Sequence, residues 1–410
     1  MSEPVVNIAR LLARIETLGE VGALPGGGVC RLALTDDDRR GRDRVVQWMR
    51  DLELDVSIDR IGNVVATRAG RVAGPAVMIG SHIDTVATGG LYDGNLGVLA
   101  GLELVEALNA AGTETRYPIS VAFFTNEEGA RFAPDMMGSG VHQGALALNG
   151  ALATVGIDGA SVDEELTRTG YAGDVPVDSV RARAFLELHV EQGPVLEEQG
   201  MTIGAVTGVQ GISWTEYTIG GTSNHAGTTP MRLRHDAGFV AAAIVTEARA
   251  LALRMGGDQV ATCGAIELQP NLINVIARKA RVTVDLRNTD EAAVQAAEAH
   301  MEAFVASLAA SEGVTVDART LARFEPVEFD PALVDAIHAI AQKRGLRVMR
   351  LPSGAGHDAQ MFAPHCPTAM VFVPSVGGIS HNVREFTAPE DLRAGAEVLL
   401  QAVLYLANGE

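Results

Sequence analysis

Four short apolar runs constrain the fold of this chain more than any other feature of its sequence. They are AVMIG (Ala76–Gly80), ISVAFF (Ile119–Phe124), AFLELHV (Ala184–Val190) and AMVFV (Ala369–Val373). Each run is short and is followed by polar residues, which is typical of central strands that are buried on both faces. Helical patterns separate the runs. They therefore predict an α/β fold in which helices flank a mixed, mostly parallel sheet.

A different pattern occupies residues 211–320. It predicts, in order, a strand at ISWTEYTI, a helix over 236–254, strands over 260–268 and 281–286, a helix over 291–310 and a strand over 314–318. This β-α-β-β-α-β order is the ferredoxin-like α+β motif. Strands of the first type resume near residues 346–350, so we expect an insertion in a discontinuous first domain that comprises residues 1–210 and 321–410.

Composition and charge exclude several classes of protein. The 410 residues are 47% hydrophobic and 20% charged, which is ordinary for a globular protein with a substantial core. A net charge of -19 lacks the basic footprint of a nucleic-acid binder. No long uncharged apolar stretch predicts a membrane span, and the N-terminus lacks a signal-peptide core, so we expect a cytoplasmic protein. The three distant cysteines, Cys30, Cys263 and Cys366, form no disulfide framework.

The four apolar runs share a second property, because residue types that bind metals lie at or beyond their carboxyl ends. These residues are His82, Asp84 and Asp93, then Glu127 and Glu128, then His189 and Glu191, and finally His381. The carboxyl ends of parallel strands form one crevice, so we expect these side chains to converge. Carboxylates mixed with imidazoles suit zinc, manganese or similar divalent ions. Two such ions about 3.5–4 Å apart can share a carboxylate and hold a water.

Two local spacings refine this prediction. His82 and Asp84 are two residues apart and point the same way on a strand, so the Asp84 carboxylate is expected to accept a hydrogen bond from the His82 ring. Glu127 and Glu128 are adjacent carboxylates at the end of a strand. A metal can neutralise one of them while the other works as a base.

Less specific interpretations exist for each feature taken alone. A single histidine at a strand end is more often a surface or core residue, and a Glu-Glu pair is usually a solvated loop. GAGHDA (Gly354–Ala359) only weakly resembles a dinucleotide-binding fingerprint, because a long helix and an acidic partner are missing. LPGGGV (Leu24–Val29) predicts a mobile loop.

Several longer motifs together resemble one known family. They are SHIDTV, YDGNLGVLAG, FTNEEGARF, ELHVEQGPVLE, SNHAGTTPM, VDLRN, GAGHDAQ and GISHN. In this order they are similar to the hydantoinase/carbamoylase branch of the dimetal amidohydrolases, which are relatives of the zinc aminopeptidases and carboxypeptidases. The resemblance covers nearly the whole chain from about Ile8. It implies a phosphorylase/hydrolase-like catalytic domain with an inserted domain that serves as lid and as homodimer interface.

The resemblance also implies roles for individual residues. Two divalent ions per subunit, zinc or else manganese, cobalt or nickel, are expected. One ion would be held by His82, Asp93 and His189, and the other by Asp93, Glu128 and His381. Glu127 would be the general base, and Asp84 and His225 complete the expected catalytic set. The expected substrate-binding residues are His225, which reaches across the dimer, Arg287, which grips a carboxylate, and Asn274, Gln192 and Gly356.

The implied activity is hydrolysis of an N-carbamoyl-L-amino acid to the amino acid, ammonia and carbon dioxide. Allantoate or another ureido acid is an alternative small-molecule substrate for the same machinery. A peptidase or deacylase, and a homologue that binds metal without catalysis, are further alternatives. For Arg287, a structural salt bridge with Asp285 or Asp290 is the alternative to substrate binding.

Overall fold

The computed structural model describes residues 3–409, which form two compact units. One unit contains the residues up to Gly208 and those from Glu328 onward, and the other is Val209–Val327. Among the described residues, no helix is both long and apolar enough to cross a membrane.

The first part of the chain alternates strands and helices. Its elements are α1 (Ile8–Gly19), α2 (Asp36–Asp51), β1 (Asp55–Ile58), β2 (Val64–Arg68), β3 (Ala76–His82), α3 (Asn95–Ala110), β4 (Ile119–Phe124), α4 (Met137–His142), α5 (Leu148–Leu152), α6 (Val162–Thr169), β5 (Ala182–Val190), α7 (Val195–Glu198) and β6 (Ile203–Val209).

The second compact unit and the C-terminal part follow. Their elements are β7 (Gly211–Gly220), α8 (Ala237–Met255), β8 (Val260–Thr262), β9 (Ile266–Gln269), β10 (Lys279–Asn288), α9 (Glu291–Glu312), β11 (Thr315–Phe324), β12 (Val327–Glu328), α10 (Pro331–Lys343), β13 (Val348–Ser353), α11 (Asp358–Phe362), β14 (Thr368–Val373) and α12 (Pro389–Asn408). Short 3-10 turns occur at Met231–Leu233 and Val376–Gly378.

The first unit is built on a sheet with the order β1-β2-β4-β3-β5-β14-β6-β12, and β13 also pairs with β6. The four central strands β4, β3, β5 and β14 run parallel, whereas β2 and β6 pair with this centre antiparallel. Every residue of β3, β4 and β14 is buried. Burial on both faces explains why these strands are continuously apolar in the sequence. The predicted α/β class is confirmed.

The second unit has an antiparallel sheet with the order β11-β7-β10-β8, and β9 also pairs with β10. This is the strand order of the ferredoxin-like motif. Its core lies between the sheet and one face each of α8 and α9, with Ile219, Ile244 and Val282 fully buried.

Two predicted strands in this unit differ from the observed ones. A single strand over 260–268 is wrong, because the chain leaves the sheet after Thr262 and returns at Ile266. The predicted end of the last strand at residue 318 is also wrong. β11 continues to Phe324 because it stays paired with β7 as far as Ile212, past an irregularity between Thr320 and Ala322.

Candidate active site and metal centre

The carboxyl ends of β3, β4, β5 and the segment after β14 bring two groups of potential metal ligands together. One group is His82, Asp93 and His189, and the other is Asp93, Glu128 and His381. Within each group the candidate ligand atoms all lie within 4.8 Å of one another. Asp93 belongs to both groups, so a single carboxylate joins two adjacent potential cation sites.

The two oxygens of Asp93 face different partners. Oδ1 lies 3.2 Å from Nε2 of His189 and 3.7 Å from Nε2 of His82. Oδ2 lies 3.3 Å from Nε2 of His381, and Nε2 of Gln192 donates to it at 2.9 Å. Nε2 of His381 is also 3.5 Å from Glu128. This division of oxygens is the geometry that a carboxylate needs in order to bridge two cations.

Backbone carbonyls orient the two buried histidines. Nδ1 of His82 lies 2.9 Å from the Asp84 carbonyl, and Nδ1 of His189 lies 2.8 Å from the Val190 carbonyl. A carbonyl oxygen only accepts, so each Nδ1 carries a proton, and in the neutral ring Nε2 is the nitrogen with the lone pair. Both rings are therefore held in the tautomer that ligates a cation.

Gly94 allows the Asp93 loop to approach His82. It has a φ of 66°, and a Cβ at this position would lie 2.4 Å from the His82 ring. Any other residue would push the loop away from the ring, because backbone and imidazole are both fixed. The amide of Asp93 donates to Glu385 at 3.1 Å, which fixes the loop from its other side.

The predicted hydrogen-bond partner of the Asp84 carboxylate is wrong. The contact with the His82 ring is made by the Asp84 backbone carbonyl. The carboxylate instead accepts the amide N–H groups of Glu127 and Glu128, each at 3.3 Å. The cause is that the chain leaves strand geometry after His82, where β3 ends, so side chains two residues apart no longer align. Asp84 thus holds the loop that carries both glutamates.

Glu127 lies beside the candidate metal ligands without belonging to either group. Its Oε2 is 3.4 Å from Nε2 of His82, and its side chain is buried. The preceding residue, Asn126, has a φ of 57°, a left-handed conformation that turns the chain sharply after β4. Burial, then the nearby Asp358 and Glu128 carboxylates, raise the pKa of Glu127 well above its ordinary value. A carboxyl with a raised pKa suits a group that takes up and returns a proton.

The pKa values of the other titratable groups are shifted, some upward and some downward. Burial alone would raise the pKa of Asp93, but contacts with His189 and His381 hold it well below the ordinary value. Burial lowers the pKa of His82 to about 4. Burial opposes the charged form of His189 too, yet Asp93 raises its pKa to about 9. Burial also raises the pKa of Glu128 well above normal. Crowded carboxylates of this kind are relieved by a bound cation.

Two further residues of the site have a left-handed backbone conformation. Gln192 has a φ of 59° and His381 a φ of 51°. Non-glycine residues pay for this conformation, and such strain concentrates at functional sites. Half of the His381 side chain is exposed, and Oε1 of Gln192 is buried without a hydrogen-bond partner. Both side chains contact Oδ2 of Asp93.

Sequence reasoning missed a buried polar layer behind His189. Glu187 accepts from Ser81 at 2.7 Å and from the amide of Ala359 at 2.9 Å, and its own potential ligand group contains His189 and His357. The His357 ring centroid is 4.6 Å from that of His189. Glu187 is two residues before His189 on β5, so the alternation of strand side chains was a signal for it.

GAGHDA delivers residues to this layer. α11 has only five residues, and both His357 and Asp358 are buried. Gly356 packs against Met136, because a Cβ there would lie 2.9 Å from the methionine methyl. Glu385, which supports the Asp93 loop, was also missed, since nothing around it in the sequence distinguishes it from a surface glutamate.

The remaining predicted residues, His225, Asn274 and Arg287, belong to the second compact unit. His225 and Asn274 are neighbours, since His225 bridges with Val275 and the Ala226 amide donates to the Asn274 carbonyl at 3.0 Å. Nδ1 of His225 accepts from the amides of Gly227 and Thr228. Its Nε2 therefore carries the proton and can donate a hydrogen bond.

Arg287 lies on β10 and contacts Asp285 through Nε and Nη2, the latter at 2.9 Å. Its guanidinium also lies 5.9 Å from the Trp214 ring centroid. The salt bridge with Asp285 that the sequence offered as an alternative is present. A salt bridge does not exclude a second partner, because the guanidinium has five N–H donors.

Comparison with known proteins identifies the family of this chain. The model of peptidase family M20/M25/M40 matches residues 78–405. The chain therefore belongs to this family. The resemblance found in the sequence is confirmed by an N-carbamoyl-L-amino-acid amidohydrolase of Rhizobium meliloti, which is 41% identical over 98% of this chain and 97% of the relative.

Two further proteins define the branch. An allantoate amidohydrolase of Bacillus subtilis is 33% identical over 96% of each chain. A crystal structure of an amidase of the hydantoinase/carbamoylase family from Burkholderia multivorans superposes with a TM-score of 0.95 at 45% identity, covering 99% of both chains.

Proposed function

We propose that this chain is a metal-dependent hydrolase that cleaves the carbamoyl C–N bond of N-carbamoyl-L-amino acids and releases the amino acid, ammonia and carbon dioxide. The observation that carries the proposal is the position of Asp93, whose two oxygens face two groups of potential ligands, with Glu127 beside them. The names of the full-length relatives support this substrate class. An intact Glu127 argues against a homologue that only binds metal.

The donor set fits two divalent cations. His82, Asp93 and His189 would hold one, and Asp93, Glu128 and His381 the other. Imidazole nitrogens and carboxylate oxygens suit zinc, manganese, cobalt or nickel alike. Bound there, the cations would polarise a carbonyl and lower the pKa of a water.

Glu127 is the proton carrier in this proposal. Its carboxylate accepts a proton from the attacking water, and the new C–O bond forms at the ureido carbonyl. The carboxyl then returns that proton to the departing amine as the C–N bond breaks. The second product, a carbamic acid, decomposes to carbon dioxide and ammonia. The raised pKa of Glu127 favours the return step, and the hydrogen bonds that Asp84 accepts from the glutamate loop keep the carboxylate aimed.

The remaining predicted residues are assigned to substrate binding. Nε2 of His225 would donate to the developing oxyanion, and Arg287 would grip the substrate carboxylate with Asn274 alongside. Gln192 and Gly356 would border the substrate in the first unit. The unpartnered Oε1 of Gln192 supports a role as acceptor for a substrate N–H.

The second unit, predicted as residues 211–320, is proposed to act as lid and homodimer interface of a cytoplasmic enzyme. It exposes apolar side chains that a partner would cover. On α8, Phe239 is 51% and Leu253 73% exposed, and Leu272 and Ile273 in the loop before β10 are 59% and 104% exposed.

Ammonia release tests the substrate. The purified protein, loaded separately with zinc and manganese, is assayed against N-carbamoyl amino acids, allantoate, β-ureidopropionate and a dipeptide. The proposal expects the highest kcat/KM on an N-carbamoyl-L-amino acid. Allantoate is the second candidate, because an allantoate amidohydrolase matches 96% of this chain. Turnover of the dipeptide alone, followed as free amino acids because peptide hydrolysis releases no ammonia, would overturn the proposal.

A further inference from the structure

Arg31 is a fully buried cation that joins one helix to two loops. Its Nε donates to the carbonyl of Ile83 at 2.8 Å, and its Nη2 donates to Oδ1 of Asn95 at 2.9 Å. Its Nη1 donates to the carbonyls of Leu18 and Val21 at 3.2 and 2.9 Å, where α1 ends. One guanidinium therefore links the C-terminus of α1, the segment after β3 and the first residue of α3.

The two loops that Arg31 joins are those that carry candidate metal ligands. Ile83 follows His82 directly, and Asn95 is two residues after Asp93. The approach of these loops leaves little tolerance, because a Cβ on Gly94 would already lie 2.4 Å from the His82 ring. A shift of either loop would therefore change the separation between Nε2 of His82 and the Asp93 carboxylate.

Backbone hydrogen bonds reinforce the same link. The amide of Arg31 donates to Oγ1 of Thr85 at 2.8 Å, and the amide of Thr85 donates to the Arg31 carbonyl at 3.0 Å. Val29 and Gly89 exchange two hydrogen bonds of 2.9 Å each. Residues 29–31 are thus hydrogen-bonded to the segment between His82 and Asp93. The sequence predicts a mobile loop up to Val29, but Val29 itself is fully buried.

Burying the charged guanidinium of Arg31 costs free energy, which indicates that its position has a role. Its four acceptors are neutral oxygens, so the charge is held by hydrogen bonds and by the negative end of α1. Burial lowers the pKa of Arg31 to about 10, although nearby acids oppose this, and the group stays charged at neutral pH. A lysine could not satisfy all four acceptors, because its three donors share one nitrogen, whereas arginine spreads five donors over three nitrogens.

We propose that Arg31 is a positioning residue for the metal centre, fixing the Ile83 carbonyl against Asn95 and thereby the placement of His82 relative to Asp93. The inference rests on the proposed metal role of His82 and Asp93. Partners that orient metal ligands typically contribute about 10–100-fold to metal affinity.

The test is Mn²⁺ binding to the metal-free, full-length chain by titration calorimetry, with Arg31→Lys compared to Arg14→Lys. Arg14 is a matched control, because it also ties α1 to α3, through Glu103 and Glu106, but does not contact the metal loops. We expect Arg31→Lys to weaken Mn²⁺ binding about 10–100-fold and Arg14→Lys to leave it unchanged, while both lower the thermal midpoint.

Unchanged affinity in Arg31→Lys, or equal weakening in Arg14→Lys, would overturn the inference. If circular dichroism shows that Arg31→Lys does not fold, Asn95→Ala removes one acceptor of Arg31 instead. It should weaken Mn²⁺ binding in the same direction, and wild-type affinity would again overturn the role. A parent protein that binds no Mn²⁺ would refute the proposed metal site itself, which is a distinguishable result.

Discussion

Replacing Glu127 by glutamine separates proton transfer from metal binding. The substitution keeps the shape of the side chain and removes its ability to accept a proton. Glu127 belongs to neither ligand group, so we expect both cations to remain bound. General acid–base catalysis contributes about 10²–10⁴-fold, which corresponds to about 3–5 kcal/mol of activation free energy. We therefore expect kcat to fall by at least about 10²-fold.

The assay combines ammonia release with elemental analysis of metal content on the same samples. Glu191→Gln is the matched control, since Glu191 caps α7 through the amides of Val195 and Leu196 and stands near the same strand ends. It should retain parental turnover. A Glu127→Gln protein that holds two metals and keeps parental kcat would refute Glu127 as the base. Loss of metal together with activity would show that Glu127 is a ligand instead.

Four further outcomes are expected. Arg287→Ala should raise KM for a carboxylate substrate about 10–100-fold at unchanged metal content, since it removes charged hydrogen bonds of about 1.5–3 kcal/mol. An unaltered KM would contradict the proposed binding of the substrate carboxylate by Arg287. His225→Ala should lower kcat about 10²–10³-fold, as expected for an oxyanion donor, and a parental kcat would exclude that role. Burial raises the pKa of Asp59 to about 7, so its contribution to the stability of the metal-free protein is lost as pH rises from about 4 to about 7. In urea unfolding, Asp59→Asn should therefore reduce the fall in unfolding free energy between pH 5 and pH 8 by about 2 kcal/mol. A fall identical to that of the parent protein would refute the raised pKa of Asp59. Arg42→Met leaves the buried Asp38 carboxylate without its cationic partner and should cost about 3–5 kcal/mol of unfolding free energy. A loss below about 1 kcal/mol would show that the Arg42–Asp38 pair is not buried in solution.

The central strands could be predicted from the sequence because their burial leaves a direct record. β3, β4 and β14 are covered on both faces, so their positions are apolar or small except for His82 at the end of β3. The division between β8 and β9 left no such record. It depends on the pairing of each short strand with β10, which is a tertiary property.

The site was predictable where chemistry and topology coincide. His82, Asp93 and His189 are ligand types next to recognisable strand ends, and they lie together in the structure. Buried charges were not predictable, because a charged residue in a sequence is ordinarily exposed. Arg31 and Glu187 are buried only because distant segments supply their hydrogen-bond partners.

The partner of Asp84 shows the same limit at short range. A two-residue spacing predicts a side-chain contact only while the strand continues, and β3 ends at His82. The end of a strand is set by what packs beyond it, so the carbonyl contact and the grip on the glutamate loop could be known only from the fold.

Anomalous diffraction from crystals soaked in Mn²⁺ tests the central claim most directly. We expect two peaks about 3.5–4 Å apart, with one oxygen of Asp93 directed to each. His82 and His189 should contact one peak, and Glu128 and His381 the other. A single peak, or two peaks that do not share Asp93, would contradict the proposed centre.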